Sequence, residues 1–446
     1  MEKLFGTDGI RGIANKFPIE PTTVVRIGKS LGIFLKRKDP KASVVIGKDT
    51  RLSGYMIEYA LTAGLLSAGT DVLLVGPMPT PAVSHLTKSL NCSAGVVISA
   101  SHNPAEHNGI KIFNELGYKL EESDEQEIER IFANLNDSEN GSEIGKAYRI
   151  DDARGRYIEL VKNTIENYSL EGMRVVIDCA NGASYAIAPK VFAELGAEVF
   201  ALNVEPNGMN INRDCGALHP QAMQKEVKKR KADLGVAFDG DADRLVVCDE
   251  NGNIADGDAL LVVFANYMLE KGLLAKNAIV ATKMSNIALE ECLHELGIKV
   301  LRTDVGDKYV ASAMREHGIN LGGEQSGHII FGDYCASPDA IITALQLVRI
   351  MKESSKPLSK LLKIFKPYPQ ILINIPVREK IPFERLPAVR EAIKEAEHKL
   401  ADNGRVFVRY SGTEQLARVM LEGKNEKEIK ELAENIASAI RKELGA

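Results

Sequence analysis

Tryptophan is absent from the chain, and Phe and Tyr together bring its aromatic content to only 6%. No stacking platform for nucleobases can be assembled from so few rings. Positive charge is not in excess either: 56 Lys and Arg face 61 Asp and Glu, with pI near 6.0, which argues against partners held by a basic field, whether nucleic acid or membrane. Long apolar runs are missing, since the longest clean one, Ala259 to Ala265, is far too short to span a bilayer. The six cysteines (92, 179, 215, 248, 292 and 335) show no C-x-x-C spacing, which fits small buried hydrophobes better than disulfides or zinc. The first residues, Met-Glu-Lys-Leu-Phe, carry an acid and no apolar signal core, which points to the cytoplasm.

What is present is length, 446 residues with 45% hydrophobic content, enough for several cores, and a pattern that recurs three times. A β-branched strand, a helix and a second strand opening on glycine are expected over 43–76, 174–202 and 278–303, which predicts three related α/β layers. Polar stretches at 136–145 and 250–253 mark boundaries. Beyond Lys366-Pro-Tyr-Pro369 the order becomes β-α-β-β-α, closed by a helix whose start, Asn425 with Glu428 three residues on, has capping-box spacing. The reading is α/β, four domains around a central cleft: three related α/β sheet domains over 1–153, 154–253 and 254–366, then an α+β domain over 367–446.

Four loops carry the chemistry. In Val96-Val-Ile-Ser-Ala-Ser-His-Asn-Pro104 an apolar strand breaks into turn formers and delivers the hydroxyl of Ser101 to a loop expected to be exposed, with Asn103-Pro104 reading as a helix or turn start whose free N–H groups suit a phosphoryl group. His102 is a poor activator if the backbone is extended, because consecutive side chains then face opposite ways. Asp239-Gly-Asp-Ala-Asp-Arg244, between two apolar strands, crowds three hard oxygen ligands and calls for a hard divalent cation. An EF-hand is excluded by Arg244 at the position that requires glycine. Gly322-Gly-Glu-Gln-Ser-Gly-His328 mixes acceptors and donors suited to sugar hydroxyls, and Arg409-Tyr-Ser-Gly-Thr-Glu414, with Arg418 nearby, has a phosphate-holding composition without Walker spacing.

Together with Phe5-Gly-Thr-Asp-Gly-Ile-Arg-Gly12, these motifs recur in the order and spacing of the α-D-phosphohexomutases, and the chain resembles that superfamily over essentially its whole length. The resemblance implies that Ser101 is phosphorylated in the resting enzyme and that Asp239, Asp241 and Asp243, with the phosphoserine, hold one Mg2+. It implies that Arg11, Lys111 and Arg244 surround the transferred phosphoryl, with Lys111 as proton carrier provided neighbouring cations depress its pKa. Glu324, Gln325, Ser326 and His328 then bind the sugar, and Arg409, Ser411, Gly412, Thr413 and Arg418 hold the phosphate that is not reacting. The form Gly-Glu-Gln-Ser-Gly-His resembles phosphoglucosamine mutases, which interconvert glucosamine 6-phosphate and glucosamine 1-phosphate through a sugar bisphosphate that also serves as primer; the alternative within the superfamily is a phosphomannomutase/phosphoglucomutase. Relatives of this kind are often dimers, so a homodimer is the expectation, although no stretch marks an interface. Gln415 where the family usually has proline, and Ala105-Glu-His107 before Asn108, depart from the pattern without removing a charged group. A phosphoserine phosphatase and a non-catalytic sugar-phosphate sensor are the rivals: the first lacks an obvious activated water, and the second has no need for Ser101 and three aspartates together.

Overall fold

A computed structural model of the chain describes residues 3–6, 8–135, 143–411 and 415–445. Among the described residues four sheets form in chain order, of six, five, four and three strands. In the first, the strands run Ile10–Ile13, His107–Asn114, Ala94–Ile98, Ser43–Lys48, Asp71–Pro77 and Ala147–Arg149 across the sheet. The central strands are β-branched and buried on both faces because helices such as Pro21–Lys38 and Ser53–Ser67 cover them. Strands Arg174–Asp178 and Ala278–Thr282 start the second and third sheets, and each pairs in parallel with the next strand of its repeat, Glu198–Leu202 and Lys299–Thr303. The fourth sheet is antiparallel, Gln370–Pro376, Leu416–Gly423 and Gly404–Tyr410, backed by helices Pro387–Leu400 and Glu426–Leu444. Among the described residues no helix is long and apolar enough to cross a membrane, and the six cysteines are all free thiols.

The chain gathers into two compact units, Met1–Met284 with Gly297–Ile364, and Ser285–Leu296 with Phe365–Ala446. The helix of the third repeat, Ile287–Glu295, groups by its contacts with the C-terminal unit. There Asn286 exchanges hydrogen bonds with the backbone of Tyr368, at 3.0 and 3.1 Å, and the N–H of Ile287 donates to the buried Glu422 carboxylate at 2.9 Å.

Of the two alternatives for Asn103-Pro104 the structure takes the turn, and the Asn103 N–H donates to the Ala100 carbonyl at 3.1 Å instead of standing free. The exposure expected of the serine is corrected: Pro104 and Glu106 of its loop are exposed, but Ser101 itself is only 1% accessible.

Candidate active site

Ser101 follows the buried strand Ala94–Ile98 and takes φ of 52°, a left-handed conformation that a residue with a Cβ rarely adopts. This twist turns its Oγ toward Asp239 Oδ2, to which it donates at 2.6 Å. It also brings His102 Nδ1 within 3.3 Å of the same oxygen, so the alternation that set His102 aside does not apply. That imidazole is neutral: burial, then Arg244 and Arg11, lower its pKa to about 3.

Asp239, Asp241 and Asp243 sit on the tight connection between strands Leu234–Phe238 and Leu245–Asp249. Gly240 between the first two is forced by close approach, since a Cβ there would lie 2.6 Å from the Ser101 carbonyl oxygen. One oxygen from each of the three buried carboxylates falls within 4.8 Å of the others. Burial, and then the charges of Asp243 and Asp241, push the Asp239 carboxyl up to about 8. Asp241 Oδ1 is buried and accepts no hydrogen bond among the described residues. A crowded, dry trio with a bare acceptor fits a hard divalent cation such as magnesium or manganese.

Lys111, on strand His107–Asn114, reaches this trio from the first sheet. Its Nζ donates to Asp241 Oδ2 at 2.8 Å and Asp243 Oδ2 at 3.1 Å, and lies 3.5 Å from Asp8. Burial alone would lower its pKa, but these carboxylates outweigh burial and raise it well above the ordinary lysine value, the opposite of the depression expected from neighbouring cations. The repulsion from Arg11 is outweighed by the three carboxylates. Asp8 also binds Arg11 and Lys119, and Lys119 spans on to Asp307 at 2.7 Å.

The sugar loop joins the same constellation through His328. Its Nε2 donates to Asp243 Oδ1 at 3.0 Å and its Nδ1 to Glu324 Oε2 at 2.6 Å. Burial and Arg244 oppose its protonation, yet Asp243 and Glu324 raise its pKa to about 10, so the ring is an imidazolium with both protons committed. Arg244 Nε, 3.1 Å from Nε2, is then a close cationic neighbour rather than a donor to it. Glu324 Oε1 accepts from the Gly306 N–H at 3.0 Å, which leaves lone pairs on both oxygens for a sugar. Ser326 is exposed, with Oγ 3.4 Å from His328, while the Gln325 side chain hydrogen-bonds Asp256.

In the C-terminal unit Arg409 and Arg418 face each other across paired strands. Burial and the charge of Arg418 lower the Arg409 pKa, a repulsion that an anion would relieve. Ser411 is buried and its carbonyl accepts from Lys380 Nζ at 2.7 Å. Gly412 and Thr413 lie outside the described residues.

Several positioning groups escaped the motif reading. Arg51, fully buried, donates through Nη2 to the carbonyls of Ser101 and Asn103, both at 2.9 Å, and through Nε to Asp49 at 2.8 Å. Asn212 Nδ2 donates to the same two carbonyls, at 2.9 and 3.1 Å. The only available signal was Gly47-Lys-Asp-Thr-Arg-Leu-Ser-Gly54, a polar run framed by glycines directly after a core strand.

Comparison with known proteins places this arrangement. The four phosphoglucomutase/phosphomannomutase domain models match in order: α/β/α domain I at residues 2–139, domain II at 155–252, domain III at 256–368 and the C-terminal domain at 372–439. Curated phosphoglucosamine mutases from Pelobacter propionicus and Bdellovibrio bacteriovorus are 51% and 50% identical, over 100% and 99% of this chain and 99% of each relative. Among solved structures, a phosphoglucomutase/phosphomannomutase family protein from Burkholderia thailandensis shares the fold with a TM-score of 0.82 at 24% identity, covering 99% of this chain and 97% of that one. An Aspergillus fumigatus N-acetylphosphoglucosamine mutase, solved with GlcNAc-6P and magnesium, shares it at 0.68 and 18% identity, over 98% of this chain and 95% of that one. With all four domain models in sequence, and relatives about half identical from end to end, the chain belongs to the phosphoglucomutase/phosphomannomutase family of α-D-phosphohexomutases.

Proposed function

We propose that this mutase interconverts glucosamine 6-phosphate and glucosamine 1-phosphate, using Ser101 as a phosphoserine. The observation that carries the reading is the Ser101 hydroxyl 2.6 Å from Asp239 within a buried carboxylate trio that holds a bare acceptor oxygen. The serine P–O bond breaks as the free sugar oxygen takes the phosphoryl, and the proton lost by that hydroxyl balances the Ser101 oxygen left behind. The bisphosphate so formed turns around, and its other phosphate returns to Ser101. Asp239, Asp241 and Asp243, with the phosphoserine, would hold Mg2+, which when bound neutralises charge on the phosphoryl oxygens. Arg11 and Arg244 supply cationic hydrogen-bond donors for the same oxygens. Lys111, kept protonated by its carboxylates, acts in this scheme as a proton-bearing cation rather than as a resting base.

Glu324, oriented by Gly306 and His328, accepts from sugar hydroxyls and from the ammonium at carbon 2, with Ser326 and Gln325 beside it. One charge-assisted hydrogen bond to that ammonium contributes about 1.5–3 kcal/mol, roughly ten- to a hundredfold in kcat/KM over glucose or mannose phosphate. Arg409, Ser411, Gly412, Thr413 and Arg418 take the distal phosphate. The names of the curated relatives support the hexosamine substrate over the phosphomannomutase/phosphoglucomutase alternative. The setting is the cytoplasm, in supply of amino sugars to cell-wall precursors, with a sugar bisphosphate as primer and a homodimer as the working species.

Intact-mass analysis should find a fraction of the purified chain carrying one phosphate, lost in Ser101→Ala together with turnover. With primer present, kcat/KM should rank glucosamine phosphate above glucose and mannose phosphates. A Ser101→Ala variant with full turnover would end the phosphoserine scheme, and a preference for mannose or glucose phosphate would end the hexosamine assignment.

A further inference from the structure

Asp241 is held unevenly. Its Oδ2 accepts two hydrogen bonds, from Lys111 Nζ at 2.8 Å and from Thr80 Oγ1 at 2.5 Å, whereas its Oδ1, equally buried, accepts none among the described residues. Thr80 grips the residue a second time through its backbone, whose N–H donates to the Asp241 carbonyl at 2.9 Å. That N–H belongs to the first turn of helix Thr80–Ser89, where no intrahelical acceptor exists for it. The threonine is itself 2% accessible and lies between Pro79 and Pro81, two residues that restrict the backbone on either side. It comes from the segment matched by the domain I model, and Asp241 from the segment matched by the domain II model.

Two grips on one residue, main chain and side chain, fix both where the Asp241 backbone runs and which way its carboxylate is turned. We infer that Thr80 is a positioning residue for the cation site: by occupying Oδ2 it presents Oδ1 as the free ligand atom beside Asp239 and Asp243. The inference rests on the reading of that trio as a metal site. A group that orients a ligand in this way is worth about 10- to 100-fold in metal affinity.

The test is Mn2+ binding to the full-length, chelator-stripped chain, followed by the electron paramagnetic resonance signal of the free ion. Wild type should bind Mn2+ at a site that Asp239→Asn removes, which checks the trio independently of Thr80. Thr80→Val keeps the branched shape and deletes the donor, and Thr80→Ala deletes it without adding bulk. Both should bind Mn2+ about 10- to 100-fold more weakly, while Thr80→Ser, which keeps the hydroxyl, should stay near the wild-type value. Circular dichroism of each metal-free variant separates loss of the site from loss of the fold, and the alanine variant carries the test if the valine variant is unfolded. Wild-type affinity in a folded Thr80→Val or Thr80→Ala chain overturns the inference. Wild-type binding that survives Asp239→Asn overturns the metal reading itself.

Discussion

Ser101 pays for its left-handed backbone with about 1–2 kcal/mol, and its neighbours show what keeps it there. The Ser101 N–H donates to Ser99 Oγ at 2.9 Å, Ser99 donates to Asp49 at 2.6 Å, and Asp49 accepts from Arg51, whose other nitrogens hold the carbonyls of Ser101, Asn103 and Pro104. Arg51→Met would leave a fully buried carboxylate and three carbonyls short of a donor, so it should destabilise the chain by about 3–5 kcal/mol. Arg51→Lys should recover only part of this, because one ammonium cannot replace a planar fork. Differential scanning calorimetry of the two variants decides it, and a Tm unchanged in Arg51→Met would show the cage to be ornamental. Ser101, the aspartate trio and Glu324 were legible in the sequence because residue type at short spacing marks them, whereas Lys111 came only through the family resemblance. Arg51, Asn212 and Thr80 were not, because their roles exist only where separate segments meet. The His102 argument failed on one torsion angle: alternation holds for extended backbone, and Ser101 is not extended.

At the scale of elements, one cap was legible in the sequence, and another, found only in the structure, carries a cost. Asn425 caps Glu426–Leu444 by accepting from the N–H groups of Lys427 and Glu428, as its spacing indicated, and Asn286 caps Ile287–Glu295 in the same manner. Asp339 caps Ala340–Ser354, accepting from Ile341 and Ile342, and takes a further bond from Tyr157 at 2.7 Å, but it is buried and, among the described residues, has no cation against it. Burial prevails over these hydrogen bonds and raises its pKa to about 6. A carboxyl whose folded-state pKa is raised binds its proton more tightly in the native state. Its contribution to stability is therefore complete below pH 4 and is lost as the pH climbs through about 6, a swing of about 3 kcal/mol. Asparagine caps as well and carries no charge. The Tm of Asp339→Asn relative to wild type should accordingly rise between pH 4 and pH 6 and stay level above it, and a difference independent of pH would place the Asp339 carboxyl at its ordinary value.

At the scale of the whole chain, three repeats were visible because hydrophobic periodicity and the glycines opening the second strands are local signals. What periodicity cannot reveal is which further segments a helix touches: contiguity and the domain III model both place Ile287–Glu295 in the third repeat, while hydrogen bonds at its first turn tie it to the C-terminal residues it groups with. Glu422 is wholly buried, pairs with Arg405 at 2.7 Å, and accepts the Ile287 N–H, while Arg405 also donates to the Ser285 carbonyl at 3.1 Å. A fragment cut by sequence order, 365–446, would keep the buried carboxylate and lose a donor to it. One charge-assisted bond is worth about 1.5–3 kcal/mol, which for a domain of this size moves the Tm by about 6 °C or more. Rejoining residues 285–296 to the fragment through a flexible linker should restore that difference in thermal unfolding followed by circular dichroism. Glu422→Gln should then cost more stability in the rejoined fragment than in the bare one, since only there does the carboxylate receive the Ile287 N–H. Equal Tm values for the two fragments would show that the segment carrying the Ile287 N–H adds nothing to the stability of the C-terminal residues.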